Sequence, residues 1–224
     1  TSFTDAENFR KNGANAVCIT NGFDESDAEN PVKAHHSENF ILSYIGVLEQ
    51  LRNPEILWKV LDDLVKKNKD FAEKFRLKFV GRVDDVILKN IENSALKNNL
   101  QNLGYLSHDK AVLEMSDSDL LLITNFPDGA SKGIIPGKIF EYLATGKQIL
   151  SFGPQDADVA KILSETNSGK HFNYQDQQKL EAFILEKFED WKSGKLQNNS
   201  QNIGQFSRKN LTEKLAEILN QIVH

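Results

Sequence analysis

The sequence predicts an α/β fold, a doubly wound parallel β-sheet with helices on both faces. Short apolar runs alternate with amphipathic helical patterns along most of the chain, which is the pattern that successive βαβ units produce. Most of these apolar runs end in glycine or in a polar turn. The run DLLLIT at 119–124 is apolar on both faces, as expected of a strand in the middle of a parallel sheet.

The remaining elements follow from the same alternation. The predicted strands are VCIT (17–20), FILSYIG (40–46), LKFVG (77–81), NLQNLGYL (99–106), DLLLIT (119–124), QILSFG (148–153) and KHFNY (170–174). The predicted helices cover 54–67, 84–97, 107–115, 138–145, 157–166, 177–191 and 208–222.

Composition and charge exclude several classes of protein. The net charge of −5, with one short basic block at Lys66, Lys67 and Lys69, argues against nucleic-acid binding. The single cysteine, Cys18, cannot form an internal disulfide, which fits a reducing compartment. No apolar run reaches the roughly eighteen residues of a membrane span, and no secretion signal is visible. We therefore expect a cytoplasmic protein.

Two features predict that this chain is a piece of a longer protein. It opens in a helical pattern, TDAENFRKNG at 4–13, and its only methionine is Met115. The segment 22–37 is acidic and irregular, which is typical of a linker between domains.

The segment PGKIFEYLATGKQIL at 136–150 is the most informative part of the chain. A helix that begins near Gly137 leaves its first backbone N–H groups free to hold an anion, and Lys138 adds a full positive charge there. Glu141 lies three residues further along, close to Lys138 on the same side of the helix. A phosphate and a pair of hydroxyls could be held together. The alternative is an ordinary surface Lys–Glu pair on an amphipathic helix.

Ligands of a doubly wound sheet bind at the carboxyl ends of the strands, where the crossovers diverge. The loops at that edge are predicted at 46–53, 81–84, 105–108, 125–137 and 153–156. Their glycines either approach a ligand or simply end strands, and His108 either faces a ligand or lies in an ordinary helix cap. The loop 125–138 is not a P-loop, because Ile139 stands where Mg²⁺ needs a Ser or Thr. No metal site is predicted, since the adjacent His35 and His36 have poor metal geometry.

Six segments together resemble a known family. They are ITNGFD (19–24), YIG (44–46) with Arg52 after it, FVG (79–81), GYLSH (104–108), GIIPGKIFEYLATGKQIL (133–150) and GPQDADVAKILSETNSG (153–169). This pattern resembles the C-terminal half of a GT-B glycosyltransferase of the retaining, family-4 type. The resemblance covers nearly the whole chain and implies a Rossmann-like domain that binds a nucleotide-diphosphate sugar.

The resemblance also implies roles for individual residues. Glu141 matches the glutamate that binds the ribose hydroxyls, and Lys138 with the amides near Gly137 matches the start of the diphosphate-binding helix. Arg52 corresponds to a basic residue that stabilises the leaving diphosphate, so Arg52 and Lys138 are the expected catalytic residues. Tyr105 and His108 match the loop that flanks the base.

Gly46 and Gly133 complete the predicted substrate-binding set. Two positions depart from the family pattern: Gly133 replaces a glutamate that commonly contacts the donor sugar, and Val47 replaces a frequent arginine. We therefore expect sugar recognition to differ from that of typical members.

The family pattern divides the chain into three parts. Residues 1–37 would be the tail of a missing N-terminal domain plus the linker, 38–200 the nucleotide-sugar-binding domain, and 201–224 a helix that crosses back to the missing domain. The expected activity is hexosyl transfer with retention, from a donor we expect to be UDP-linked, in polysaccharide or glycoconjugate biosynthesis.

No metal or other cofactor is required by this interpretation. The expected partners are the nucleotide sugar and the missing N-terminal domain, which would hold the acceptor and any contact with the inner face of the cytoplasmic membrane. This chain alone is expected to be inactive. Two alternatives remain, a nucleotide-binding module without catalysis and a sugar-nucleotide epimerase of the same architecture.

Overall fold

An all-parallel sheet forms the centre of the molecule, as predicted, but within the residues that the structure describes it has six strands in place of the seven predicted ones. The computed structural model describes residues 1–26, 37–196 and 199–223. The strands are β1 (Phe40–Leu48), β2 (Phe75–Val83), β3 (Leu100–Asn102), β4 (Leu120–Thr124), β5 (Gln148–Phe152) and β6 (Gly169–Phe172). Their spatial order is β3-β2-β1-β4-β5-β6, so the direction of winding reverses between β1 and β4.

Helices connect and cover these strands. They are α1 (Phe3–Lys11), α2 (Glu55–Lys67), α3 (Lys69–Lys74), α4 (Asp85–Glu92), α5 (His108–Ser116), α6 (Lys138–Thr145), α7 (Asp158–Thr166), α8 (Gln177–Lys192) and α9 (Arg208–Val223). In residues 1–26, 37–196 and 199–223, none of the helices combines the length and apolar composition that crossing a bilayer requires.

Each face of the sheet packs against its own group of helices. Alternate residues of β1 divide between the two sides: Tyr44 belongs to the cluster under α2, α4 and α8, and Ile45 belongs to the cluster under α6 and α7. All five residues of β4 are buried, which confirms its predicted place in the middle of the sheet.

The sheet opens between β1 and β4 toward their carboxyl ends. The first strand pairs with β2 along all nine residues, but its pairing with β4 is confined to Leu42 and Ser43. Beyond Ser43, groups from α6 satisfy the backbone of β1: the Ile45 N–H donates to the Tyr142 hydroxyl at 3.3 Å. A crevice therefore lies at this point of the sheet edge.

The prediction of a strand at 17–20 is wrong. These residues pair with none of the six strands, and the nearest bridge in the described residues joins Phe23 to Ser207. The segment lies instead beside α9, where Lys214 Nζ donates to the Cys18 carbonyl at 3.3 Å. Cys18 is nevertheless buried, as its apolar neighbours predict.

The predicted helix at 84–97 is also too long. It ends at Glu92, and a separate 3₁₀ turn follows at Ala95–Asn99. Two side chains start the new turn, because Ser94 accepts from the Leu96 N–H and Asp62 accepts from the Ala95 N–H. The pattern also did not predict α3. Of the predicted linker, residues 27–36, which include His35 and His36, lie outside the described residues.

Candidate functional site

Lys138 reaches from the first turn of α6 back to the carboxyl end of β1. Its Nζ donates to the Ile45 carbonyl at 2.7 Å and lies 4.2 Å from the centroid of the Tyr44 ring. This geometry differs from that of an ordinary surface Lys–Glu pair, because the ammonium turns toward the sheet. One strand residue, Ile45, thus contacts two side chains of α6, Lys138 and Tyr142.

The surroundings of Lys138 disfavour its charge. Burial, and after it the Arg52 guanidinium, lower the pKa of its ammonium from 10.5 to about 8, although Glu141 acts in the opposite direction. Arg52 is therefore close enough to repel Lys138. A group of this kind gains most from a bound anion, which would offset both the burial and the repulsion.

Arg52 lies in the 3₁₀ turn that follows β1. Its Nη2 donates to the Val47 carbonyl at 3.1 Å and to the Glu49 carboxylate at 2.9 Å, and its Cζ lies 5.5 Å from the centroid of the Phe126 ring. Its Nε is buried and has no hydrogen-bond partner among the described residues. Arg52 therefore keeps an unused donor and lies close enough to Lys138 to lower its pKa, and the catalytic role that the family pattern implied for these two residues stays a prediction.

Gly46 and Gly81 allow this close approach. Gly46 has a φ of 126°, and a Cβ there would lie 2.7 Å from Lys138 Nζ. At Gly81, with a φ of 109°, a Cβ would lie 2.2 Å from the Gly46 carbonyl oxygen. The structure thus assigns Gly46 a role in making room for Lys138, and the sequence pattern alone did not indicate the role of Gly81.

Glu141, Gly137 and His108 line one cavity of about 920 Å³. Its walls come from residues 19–26, α5, α6 and α9. Glu141 is exposed at the first turn of α6, one turn from Lys138. The structure brings the N-cap residue of α6, the carboxylate and the first residue of α5 to one cavity, and their predicted contacts with a nucleotide stay predictions.

Two further residues of this cavity were not predicted. Thr20 is buried, and its hydroxyl has no hydrogen-bond partner in the part of the chain that the structure describes. Arg208, the first residue of α9, also lines the cavity. The ITNGFD motif contains Thr20 and offered a signal, whereas nothing in the local pattern distinguishes Arg208 from other surface arginines.

The other predicted positions lie apart from the cavity. Tyr105, in the loop after β3, is 90% exposed, and its predicted contact with a base stays a prediction. Gly133 packs against the N-terminal helix, because a Cβ there would lie 2.5 Å from Ser2 Oγ. The missing glutamate side chain at this position has a structural explanation: α1 occupies the space.

Asp158 holds α1 in that place. Its carboxylate accepts from the Phe3 N–H at 2.6 Å, from the Thr4 hydroxyl at 2.7 Å and from the Ser2 hydroxyl at 3.1 Å. Asp158, the first residue of α7, thereby satisfies the free N–H groups of another helix. Within residues 1–26, 37–196 and 199–223, no group of three or more His, Cys, Asp or Glu side chains is placed to hold a metal ion.

Solved structures of glycosyltransferases share this fold. HepE of Anabaena in complex with UDP superposes with a TM-score of 0.72 and 18% identity, over 98% of this chain and 62% of that chain. Sucrose-phosphate synthase from Thermosynechococcus elongatus superposes with a TM-score of 0.66 and 15% identity, over 100% and 57% of the two chains. TarM of S. aureus, in a complex that contains UDP, superposes with a TM-score of 0.62 and 16% identity, over 98% and 43%.

The similarity lies in the fold and not in the sequence. No family model matches the chain, and no curated protein matches it in sequence. The chain spans 62% or less of the length of the three structures compared above. At identities of 15–18%, the superpositions show that the fold is shared and nothing more. The chain therefore has the fold of the C-terminal domain of a GT-B glycosyltransferase.

Proposed function

We propose that this chain is the donor-binding domain of a retaining glycosyltransferase that uses a nucleotide-diphosphate sugar. The observation that carries the proposal is that Arg52 lies close enough to Lys138 to lower its pKa, near the point where β1 and β4 separate and beside the start of α6. A pyrophosphate is the ligand that best matches two fixed cations next to free helix amides.

The same arrangement suits glycosyl transfer. Departure of the nucleoside diphosphate builds negative charge on its terminal oxygens. Arg52, Lys138 and the amides that follow Gly137 would stabilise that charge in the transition state more than in the bound donor. The proposed reaction needs no metal ion, because these groups supply the positive charge.

The cavity beside α6 suits the nucleoside. The Glu141 carboxylate accepts hydrogen bonds only, so both ribose hydroxyls can donate to it. His108, on the same cavity, and the exposed Tyr105 would flank the base. We favour uridine because HepE and TarM were solved with UDP, and HepE also with UDP-glucose. A hexosyl donor is proposed on the same ground.

The acceptor side is proposed to belong to a further domain. The chain spans only part of each superposed glycosyltransferase, and the transferred sugar must leave the crevice toward an acceptor. We accordingly propose that the complete protein acts in polysaccharide or glycoconjugate biosynthesis in the cytoplasm, with any contact to the inner membrane face made by that domain.

Isothermal titration calorimetry with UDP, GDP and UDP-glucose tests the proposal. We expect UDP to bind, and we expect Glu141→Ala to weaken it by about 1–3 kcal/mol, since a charged acceptor of two hydroxyls is lost. Glu92→Ala removes an exposed carboxylate from the end of α4 and serves as the matched control. If Glu141→Ala binds every nucleotide as tightly as the parent, the ribose assignment is wrong.

A further inference from the structure

We propose that Phe126 and Tyr174 are positioning residues that hold the Arg52 guanidinium at the crevice. The inference rests on the proposed function, in which Arg52 contacts the diphosphate. It concerns residues outside the family pattern described above, which lie 74 and 122 positions from Arg52 in sequence. The three residues follow three different strands, β4, β6 and β1.

The Phe126 ring provides one face of the guanidinium site. Arg52 Cζ lies 5.5 Å from the ring centroid, within the range of a cation–π contact. A planar guanidinium stacks well on an aromatic face and keeps its edge donors free for a ligand. The ring therefore restrains the cation without consuming the donors that a diphosphate needs.

The Tyr174 hydroxyl contacts the backbone of Arg52 and of Asn125, the residue before Phe126. It donates to the Asn125 carbonyl at 2.5 Å and lies 3.5 Å from the Arg52 carbonyl oxygen. Asn125 immediately precedes Phe126, so one phenol links the two loops that carry the cation and the ring. Burial raises the pKa of Tyr174, which keeps the hydroxyl protonated, and its ring packs on Phe152 at 5.6 Å.

Of the remaining contacts of Arg52, the hydrogen bond from Nη2 to the Val47 carbonyl at 3.1 Å fixes one end of the guanidinium. The Glu49 partner is about half exposed, at 48%, and exposed ion pairs contribute little because solvent screens them. The buried Nε lacks a partner among the described residues. The part-buried ring and the hydroxyl link add to the Val47 hydrogen bond, and together these contacts reduce the rotamer freedom that Arg52 would otherwise lose on binding.

The test measures the affinity for UDP of four proteins: the parent chain, Phe126→Leu, Tyr174→Phe and Phe126→Tyr. The same four are measured again with Arg52→Gln added to each. We expect Phe126→Leu and Tyr174→Phe each to weaken UDP about two- to fivefold, the size of a cation–π contact or a hydrogen bond. Phe126→Tyr keeps an aromatic face, so we expect it to bind UDP as tightly as the parent chain does. Phe9→Leu, at an exposed ring of α1, is the matched control.

The Arg52→Gln background separates positioning from general damage. If the two residues act through Arg52, their substitutions have no further effect on UDP once the guanidinium is gone. Equal weakening in both backgrounds, or no weakening in the parent background, overturns the inference while UDP binding upholds the proposed function. A parent chain that binds no nucleotide overturns the proposed function and this inference with it.

Discussion

At the residue scale, the surroundings of Lys138 destabilise the charged form of its side chain. Its ammonium is part-buried, with one carbonyl partner and one aromatic ring, and Arg52 repels it. The folded pKa of about 8 lies below the ordinary 10.5, so the charged form is disfavoured in the folded chain. The charge is present below pH 8 and is lost as the pH rises through that value.

We therefore expect UDP affinity to depend on pH. Between pH 7 and pH 9 it should fall by up to about tenfold, because an ammonium with a pKa near 8 loses its proton over that interval. Calorimetry across this range checks the prediction, with Lys138→Met as the control that should bind weakly and with little pH dependence. An unchanged affinity in the parent would contradict it.

At the scale of elements, the docking of α1 depends on one carboxylate. Asp158 accepts from Ser2, Phe3 and Thr4, and it is almost fully buried. The contact joins the amino ends of α1 and α7 and brings Ser2 against Gly133. The loop between β4 and α6 is thus supported from outside the sheet by the first helix of the chain.

Removing that carboxylate should loosen α1. We expect Asp158→Ala to lower the free energy of unfolding by about 2–3 kcal/mol, since charge-assisted hydrogen bonds to helix N–H groups are lost. Asp156→Ala, which removes an exposed partner of Lys132, should change it by less than about 0.5 kcal/mol. Urea denaturation measures both, and equal values for the two variants would contradict the assigned role.

At the scale of the whole molecule, the proposed reaction needs a donor and an acceptor held in one site. The residues described above are proposed to bind the diphosphate and the nucleoside of the donor, and the proposal gives none of them the role of activating an acceptor hydroxyl. Because transfer needs both partners held together, donor binding alone supplies only part of the catalytic effect.

We expect this chain to bind UDP-glucose without turning it over. An assay for released UDP, with a simple alcohol as acceptor, should give the background rate both for the parent chain and for Glu141→Ala. Turnover by the parent that Glu141→Ala abolishes would show that the described residues suffice for transfer.

Local patterns were enough for most of the architecture. Apolar runs predicted all six strands, although the predicted run 99–106 extends four residues beyond the end of β3 at Asn102. The segment 136–150 predicted α6 with its correct limits, because hydrophobic periodicity and glycine positions act over a few residues. The grouping of Gly137, Glu141 and His108 at one cavity followed from the rule that ligands bind at the carboxyl edge of the sheet.

Other features depended on which distant segments meet. The run 17–20 has the composition of a strand, but it lies beside α9 and outside the sheet. The direction of Lys138 toward Ile45, the packing of α1 on Gly133 and the meeting of Arg52, Phe126 and Tyr174 likewise have no local signal. Spacing along a chain fixes neighbours within a helix or strand, whereas strand order and helix docking bring remote residues together through packing of the complete fold.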